Sequence, residues 1–371
     1  MKIAVYTIAL NEEQFVYRWS DSAIEADYRF ILDTGSTDNT VAVARGAGVH
    51  VEECRIDPWR FDEARNKSLE FLPDDIDICI ALDMDEYLLP GWRGMLENIE
   101  PGTSRPRYKY VWSWNEDGSE GLVYGGDKIH RRHGYKWKHP VHEVLKPQQT
   151  EIQQWVPGLE IHHHPDPTKS RSQYLPLLEL AVKESPMDDR NQFYLAREYY
   201  FQGKYPESQY HFSRHLDLST WLPERAASHR YIAKMRPDDA HCHLYRAISE
   251  DPRRRESWVA LAQYHYEKND WLSCRYNCEM ALRITEKPLD YLCEADAWGW
   301  LVHDLMAIAC HHLGDKAQAI VHGLEAIGSV LTINVYGITL NGIISGNESW
   351  RNPYSSKRTF SYSIHWGWFT S

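Results

Sequence analysis

DICIALDMDEYL, residues 77–88, carries an apolar run straight into a pair of aspartates, Asp83 and Asp85, with one residue between them. A short apolar stretch bounded by acids fits a strand buried on both faces, and such strands belong to parallel sheets with helices on either side. The upstream sequence supplies the partners. Ile3–Leu10 and Tyr28–Asp33 are expected strands, Val49–Cys54 a third short one, and Asp77–Leu82 the strand feeding the acids. Helical patterns over Glu12–Ala26, Thr40–Ala47 and Phe61–Phe71 separate them. Strand–helix alternation predicts an open α/β sheet of Rossmann type, mostly parallel. Ligands of such sheets sit at the carboxyl ends of the strands, where Asn11, Asp33, Asp83 and Asp85 all fall.

From Arg107 to about Val156 the pattern becomes aromatic and β-like, and PGLEIHHHPDPTKSR (157–171) reads as a hinge. Beyond it the sequence is helical and weakly periodic. Small residues recur at Ala196, Ser228, Ala262 and Ala309, at intervals of 32, 34 and 47 residues. A small residue where two helices touch, repeated about every 34 residues, is what tetratricopeptide-like hairpins require. The longer last interval calls for an insertion near Pro288–Asp296. The expected division is therefore an α/β unit over 1–175, a helical-repeat unit over 176–330 and an aromatic-rich segment over 331–371.

The 371 residues carry a net charge of −12, which argues against a general, charge-driven nucleic-acid binder. The cluster Lys128, Arg131, Arg132, Lys136 and Lys138 is a local exception; it reads as a solvated basic face or as a steering patch for an anionic partner. Seven cysteines without a CxxC pair suit free thiols in a reducing cytoplasm. The N-terminus reads as a first strand rather than a signal peptide. Ile327–Asn347 is uncharged, but its Asn, Thr and Gly content is poor for a bilayer span.

Five stretches carry chemistry. Asp83 and Asp85 can share a divalent cation and meet a diphosphate. In DTGSTDNT (33–40) the turn explains Ser36–Thr40, but not Asp33, an acceptor placed to read a base or ribose. In WRFDEARNKSL (59–69) Arg65 lies in an early helix turn, within reach of a phosphate. Glu143, in KWKHPVHEVL (136–145), is a carboxylate in an aromatic setting that suits a general base. In HHHP (162–165) an imidazole can join the carboxylates as a third metal ligand; in extended chain His162 and His164 share one face and His163 opposes them.

In order, Asn11-Glu12-Glu13, DTGSTDNT, Ala64-Arg65-Asn66, DMDE and Val141-His142-Glu143 resemble the family 2 glycosyltransferases of the GT-A fold. More narrowly they resemble bacterial and phage members whose catalytic domain precedes tetratricopeptide repeats. The resemblance implies that Asn11 and Glu12 line the nucleotide pocket and that Asp33 accepts from the nucleobase. It implies Arg65 beside the base or diphosphate, Asp83 facing the ribose and metal shell, and Asp85 on Mn²⁺ or Mg²⁺. Glu143 would be the general base, and His162, with His164 close behind, the third metal ligand. The reaction implied is inverting transfer from a nucleotide-sugar, UDP-linked by preference, in the cytoplasm of a bacterial or phage-infected cell. The acceptor would be macromolecular: a protein or peptide, a glycan, or a hydroxymethylated DNA base. Two alternatives stand beside it: a nucleotidyltransferase, against which the first strand ends without a basic Gly-rich loop, and an inactive repeat scaffold. A homo-oligomer is left open.

Overall fold

The computed structural model describes residues 1–115, 117–165 and 174–331, without the side chains of 329–331. The first half opens with β1 (Ile3–Ala9), α1 (Val16–Ser22), β2 (Tyr28–Asp33), α2 (Thr40–Gly46), β3 (His50–Glu53), α3 (Phe61–Glu70) and β4 (Ile78–Ala81). β1 lies between β2 and β4, and all pairings among β1–β4 are parallel. Alternation sorts the side chains of β1 to both faces. Ile3 and Val5 join a core with Trp19, Ile80 and Trp92, while Ala4 and Tyr6 join one with Leu69, Cys79 and Trp137. The expected helix over Glu12–Ala26 is shorter. Its first residues are diverted to hold the next loop, with the Glu12 amide donating to Thr40 Oγ1 and the Glu13 amide to Asp38.

The chain continues through β5 (Glu86–Leu88), α4 (Trp92–Glu97), β6 (Arg105–Val111), β7 (Val123–Gly126), β8 (Ile129–Arg131), β9 (Tyr135–Lys138), β10 (Val144–Pro147) and β11 (Gln153–His163). β8 adds antiparallel to β4, completing a five-stranded sheet of order β3-β2-β1-β4-β8. A second, mixed sheet has the order β5-β11-β6-β7, and β9 and β10 form a hairpin. Residues 157–163 of the expected hinge are thus strand, and 166–171 lie outside the described residues. Pro157-Gly158 falls where β11 slips register on β6, with Gly158 at φ 79°, and an interruption of this kind hides a strand from sequence reading. Gly126 faces Tyr108 across the ladder, where a Cβ would overlap the buried phenol ring. Gly126→Ala is expected to cost about 1–3 kcal/mol by overpacking. Urea unfolding checks it, and an unchanged midpoint would refute the tight fit.

The remainder is helical: α5 (Tyr174–Glu184), α6 (Asp189–Phe201), α7 (Tyr205–Leu218), α8 (Leu222–Met235), α9 (Ala240–Glu250), α10 (Arg255–Glu267), α11 (Trp271–Leu282), α12 (Ala295–Trp298), α13 (Trp300–His312) and α14 (Lys316–Leu331). Helices pack in sequential pairs, α6 on α7, α8 on α9, α10 on α11 and α13 on α14. Ala196, Ser228, Ala262 and Ala309 each sit in the first helix of a pair and are wholly buried, as close helix approach demands. The insertion implied by the longer last interval is the stretch between α11 and α13.

Among the described residues no helix is long and apolar enough to cross a membrane. Most of Ile327–Asn347, and the 331–371 segment beyond Leu331, lie outside the described residues.

Candidate active site

Strand order reverses at β1, between β2 and β4, so a crevice opens beyond the carboxyl ends of these strands. Three of the expected residues border it. Asn11, at φ 56° in a region Asn tolerates, accepts from the Thr37 amide at 2.7 Å, while its own amide donates to Ser36 Oγ at 2.8 Å. Glu12 is buried beneath this loop. Asp33 Oδ1 accepts from the Gly35 and Ser36 amides, both at 2.9 Å, and so closes the turn. Its Oδ2 is buried without a hydrogen-bond partner among the described residues. One oxygen of Asp33 is structural; the other is open to a donor.

Alternation along β4 puts Asp83 on the Cys79–Ala81 face, the side covered by α3. There Arg65 Nη2 donates to Asp83 Oδ1 at 2.7 Å. Arg65 Nε donates to Glu143, and its guanidinium lies 4.9 Å from the Trp137 ring centre. The third nitrogen, Nη1, is buried without a partner among the described residues. α3 also fixes the β9–β10 hairpin that carries Glu143. The Phe61 amide donates to the Pro140 carbonyl at 3.0 Å, and the Asn66 side chain both donates to the Trp137 carbonyl and accepts from its amide, at 2.9 Å. The turn holds His139 and His142 at positive φ, 81° and 49°. Unfavourable backbone of this kind persists only where the surroundings enforce it. His142 stacks on Tyr194 of α6, ring centres 4.2 Å apart.

Three further residues belong to this network. Lys128 Nζ reaches Asp83 Oδ2 at 2.7 Å and Glu86 Oε1 at 3.1 Å, and Tyr110 donates its hydroxyl to Glu86 at 2.5 Å. Lys128 was legible only as one of five basic residues, and those five do not make one basic face. Arg131 and Arg132 donate to the carbonyls of Thr103, Leu72 and Pro73, while Lys136 and Lys138 are exposed on β9. Burial opposes charge on Asp83, but Arg65 and Lys128 overcome it and hold the carboxyl well below its usual range. Burial also opposes the Lys128 charge, which Asp83 and Glu86 more than restore. Glu86 moves upward, because burial and neighbouring Asp83 outweigh the lysine.

Asp85 lies beyond this ion-paired cluster. Its carbonyl accepts from the His164 amide at 2.9 Å and from Arg18 at 3.2 Å. The histidine facing its carboxylate is His163, with Nε2 3.4 Å from Asp85 Oδ2. His162 and His164 share the other side, as alternation requires. His162 Nε2 lies 3.0 Å from Glu160, in a cluster with Glu120, and His164 Nε2 lies 3.2 Å from the Tyr87 hydroxyl. Register decides the matter: β11 pairs with β5 so that His163 stands opposite Glu86. His163 also stacks on Trp112 at 4.2 Å, and its Nδ1 is 2.9 Å from the Trp112 carbonyl. A carbonyl only accepts, so Nδ1 carries a hydrogen and the neutral ring turns its Nε2 lone pair toward Asp85. Two acceptors facing each other require a proton or a cation between them. Burial lowers the His163 pKa, but Asp85 and Glu86 overturn that and raise it.

A cavity of about 350 Å³ adjoins Glu143 and Lys128, walled on its far side by Arg190, Tyr194, Trp221 and Tyr291 of the helical half. Its volume is at the small end of the range for ligand sites, about 300–1,000 Å³.

No protein-family model and no curated protein matches the chain. Among solved structures it is similar to MamA, at 13% identity and a TM-score of 0.34, over 42% of this chain and 85% of that one. It is also similar to glucosyl-3-phosphoglycerate synthase from Mycobacterium tuberculosis. The complex of that protein with Mn²⁺, uridine diphosphate and glucosyl-3-phosphoglycerate matches at 23% identity and a TM-score of 0.27, over 35% of this chain and 57% of the synthase. Its complex with Mg²⁺ and uridine diphosphate matches at 27% identity and a TM-score of 0.25, over 29% and 43%.

Proposed function

We propose that the chain is an inverting glycosyltransferase that uses a divalent cation and moves a sugar from a nucleotide-sugar, UDP-linked by preference, to a macromolecular acceptor. On this reading residues 1–175 form a GT-A catalytic unit and 176–330 a tetratricopeptide-like unit, at work in a reducing cytoplasm that suits seven free thiols. The observation that carries the proposal is the position of Arg65. One guanidinium joins Asp83, after the fourth strand, to Glu143 beside the cavity, and keeps its buried Nη1 without a partner among the described residues. An anion entering from the strand ends meets that nitrogen, and a hydroxyl entering from the cavity meets Glu143.

In this scheme Asp33 Oδ2 takes a donor from the nucleobase or ribose, and Asn11 and Glu12 hold the loop that lines the pocket. Arg65 Nη1 donates to the diphosphate. Glu143 receives the proton of the acceptor hydroxyl while that oxygen bonds the anomeric carbon, and the nucleoside diphosphate leaves with the electrons of the broken carbon–oxygen bond. The residues present fit a cation. Asp85 and His163, rather than His162 or His164, offer a carboxylate oxygen and a neutral imidazole nitrogen facing each other, with the imidazole oriented by the Trp112 carbonyl. Mn²⁺ suits this pair better than Mg²⁺, which keeps to oxygen ligands. A cation there would supply positive charge for the leaving diphosphate.

A thermal-shift panel of UDP-, GDP- and dTDP-sugars, with and without Mn²⁺, tests the proposal. One nucleotide class is expected to stabilise the protein by about 2.7 kcal/mol at a hundred times its Kd, and only with the metal. A flat response across the panel would sink it.

A further inference from the structure

The cavity beside Glu143 is built jointly by the two halves of the chain. From the β-rich half come Arg107, Lys128 and Glu143; from the helical half come Arg190, Trp221 and Tyr291. Tyr291 belongs to the insertion between α11 and α13, and the part of it around Tyr291 is fastened to three other elements. The Leu289 carbonyl accepts from the Gly125 amide of β7 at 3.2 Å, Asp290 accepts both terminal nitrogens of buried Arg254, and the Tyr291 hydroxyl donates to Glu224. Glu224 is itself buried beside His215, whose other ring nitrogen meets Ser228 at 2.8 Å. The far wall is therefore held in place before any ligand arrives.

Charge on this lining does not cancel. Each acid already has an arginine outside the cavity: Glu143 has Arg65, Asp290 has Arg254, and Asp127 lies 3.9 Å from Arg105. Lys128 is matched by Asp83 and Glu86. Two guanidinium groups make no ion pair among the described residues, although Glu224 and Asp127 act on Arg190 from beyond contact distance. Among the described residues Arg107 donates only to neutral oxygens, those of Gly125, Gly126 and Gln153. Arg190 lies 4.7 Å from the Tyr194 ring centre, and its Nε is buried with no hydrogen-bond partner among the described residues. Both arginines are half-buried, and a partly desolvated cation without a carboxylate in contact gains from an incoming opposite charge.

We infer that this cavity receives the reacting end of the acceptor, and that this end carries an oxyanion, a carboxylate or a phosphate, bound by Arg190 and Arg107. Arginine forks suit both groups. The small volume admits a single ring or side chain, so a larger acceptor enters by its acidic terminus, against the aromatic faces of Trp221 and Tyr291. The assignment to an acceptor rests on the transferase reading; the anion site itself does not.

Calorimetric titration at low salt separates the two. The probes are glucose 6-phosphate, glucuronate and glucose, titrated into the full chain, with UDP, GDP and dTDP, each plus Mn²⁺, titrated in parallel. Either charged sugar is expected to bind at least about tenfold more tightly than glucose, and the tighter of the two names the oxyanion. Arg190→Gln is expected to lose that preference while UDP–Mn²⁺ binding stays unchanged, and Arg190→Lys to recover part of it. Should Arg190→Gln fail to fold, Arg107→Gln and Arg190→Lys carry the same comparison. Equal binding of charged and neutral sugars, or charged-sugar binding indifferent to both arginines, overturns the inference. Failure of UDP, GDP and dTDP alike to bind with Mn²⁺ while the arginine-dependent preference persists overturns the transferase reading alone.

Discussion

Arg65→Met is expected to cost the fold about 3–5 kcal/mol, the range for removing one partner of a buried ionic network. The size follows from what the arginine leaves behind. Its side chain and that of Glu143 are only 4% and 3% exposed, so the abandoned carboxylate has little water to turn to. Asp83 is better placed, because Lys128 still reaches its other oxygen. Methionine fills much of the arginine stem's volume, so the loss reports charge rather than a cavity. The pH dependence supplies a second check. Desolvation works against the Asp83 charge, yet Arg65 and Lys128 hold its folded pKa below the usual range. A carboxyl depressed in this way stabilises the fold above its unfolded value, about 3.9, and loses that contribution as pH falls through the folded value. Removing Arg65 forfeits part of it, so the gap between variant and wild type is full at neutral pH and narrows below about pH 4. Urea unfolding at neutral and acid pH measures both. A gap under about 1 kcal/mol at neutral pH would mean that the network is solvated and the arginine replaceable.

The α/β core was legible because its signals are local. Tyr28–Asp33 is a strand with the bounds the sequence suggests, since an apolar run and the turn residues at 34–36 mark its ends. Periodicity of small residues likewise located the first helix of each pair. What escaped depends on pairing between distant segments. The end of α1 nearest β1 is consumed by the loop at 36–40, which no helical pattern reveals. β11 contains a proline and a glycine at a register slip, so its second half reads as a hinge. For the three histidines, alternation separated His163 from its neighbours, but only the register of β11 on β5 says which side meets Asp85. Lys128 is the clearest omission. Nothing near it in sequence marks it as a partner of Asp83; the antiparallel addition of β8 to β4 brings it there.

Asp85→Asn is expected to lower metal-dependent transfer about a thousandfold, equivalent to about 4 kcal/mol of transition-state stabilisation. Asparagine keeps the size and the carbonyl oxygen but loses the charge that faces His163. Asp85 is partly exposed and lies outside the Arg65 network, so the variant should fold and melt close to wild type. Histidine variants decide which imidazole takes part. His163→Ala should weaken Mn²⁺ binding about 10–100-fold, whereas His162→Ala, which removes a partner of Glu160, should leave it unchanged. Titration of free Mn²⁺ by electron paramagnetic resonance reads this without any acceptor. Proton and cation compete for the same Nε2, and the His163 pKa is raised, so Mn²⁺ affinity should climb with pH as the proton leaves. In His163→Ala that climb should flatten. If instead His162→Ala abolished binding and His163→Ala did not, the cation would belong with Glu120 and Glu160. Asp85 would then be left with the imidazolium alone, and the strand-end aspartates would lose their claim to the metal.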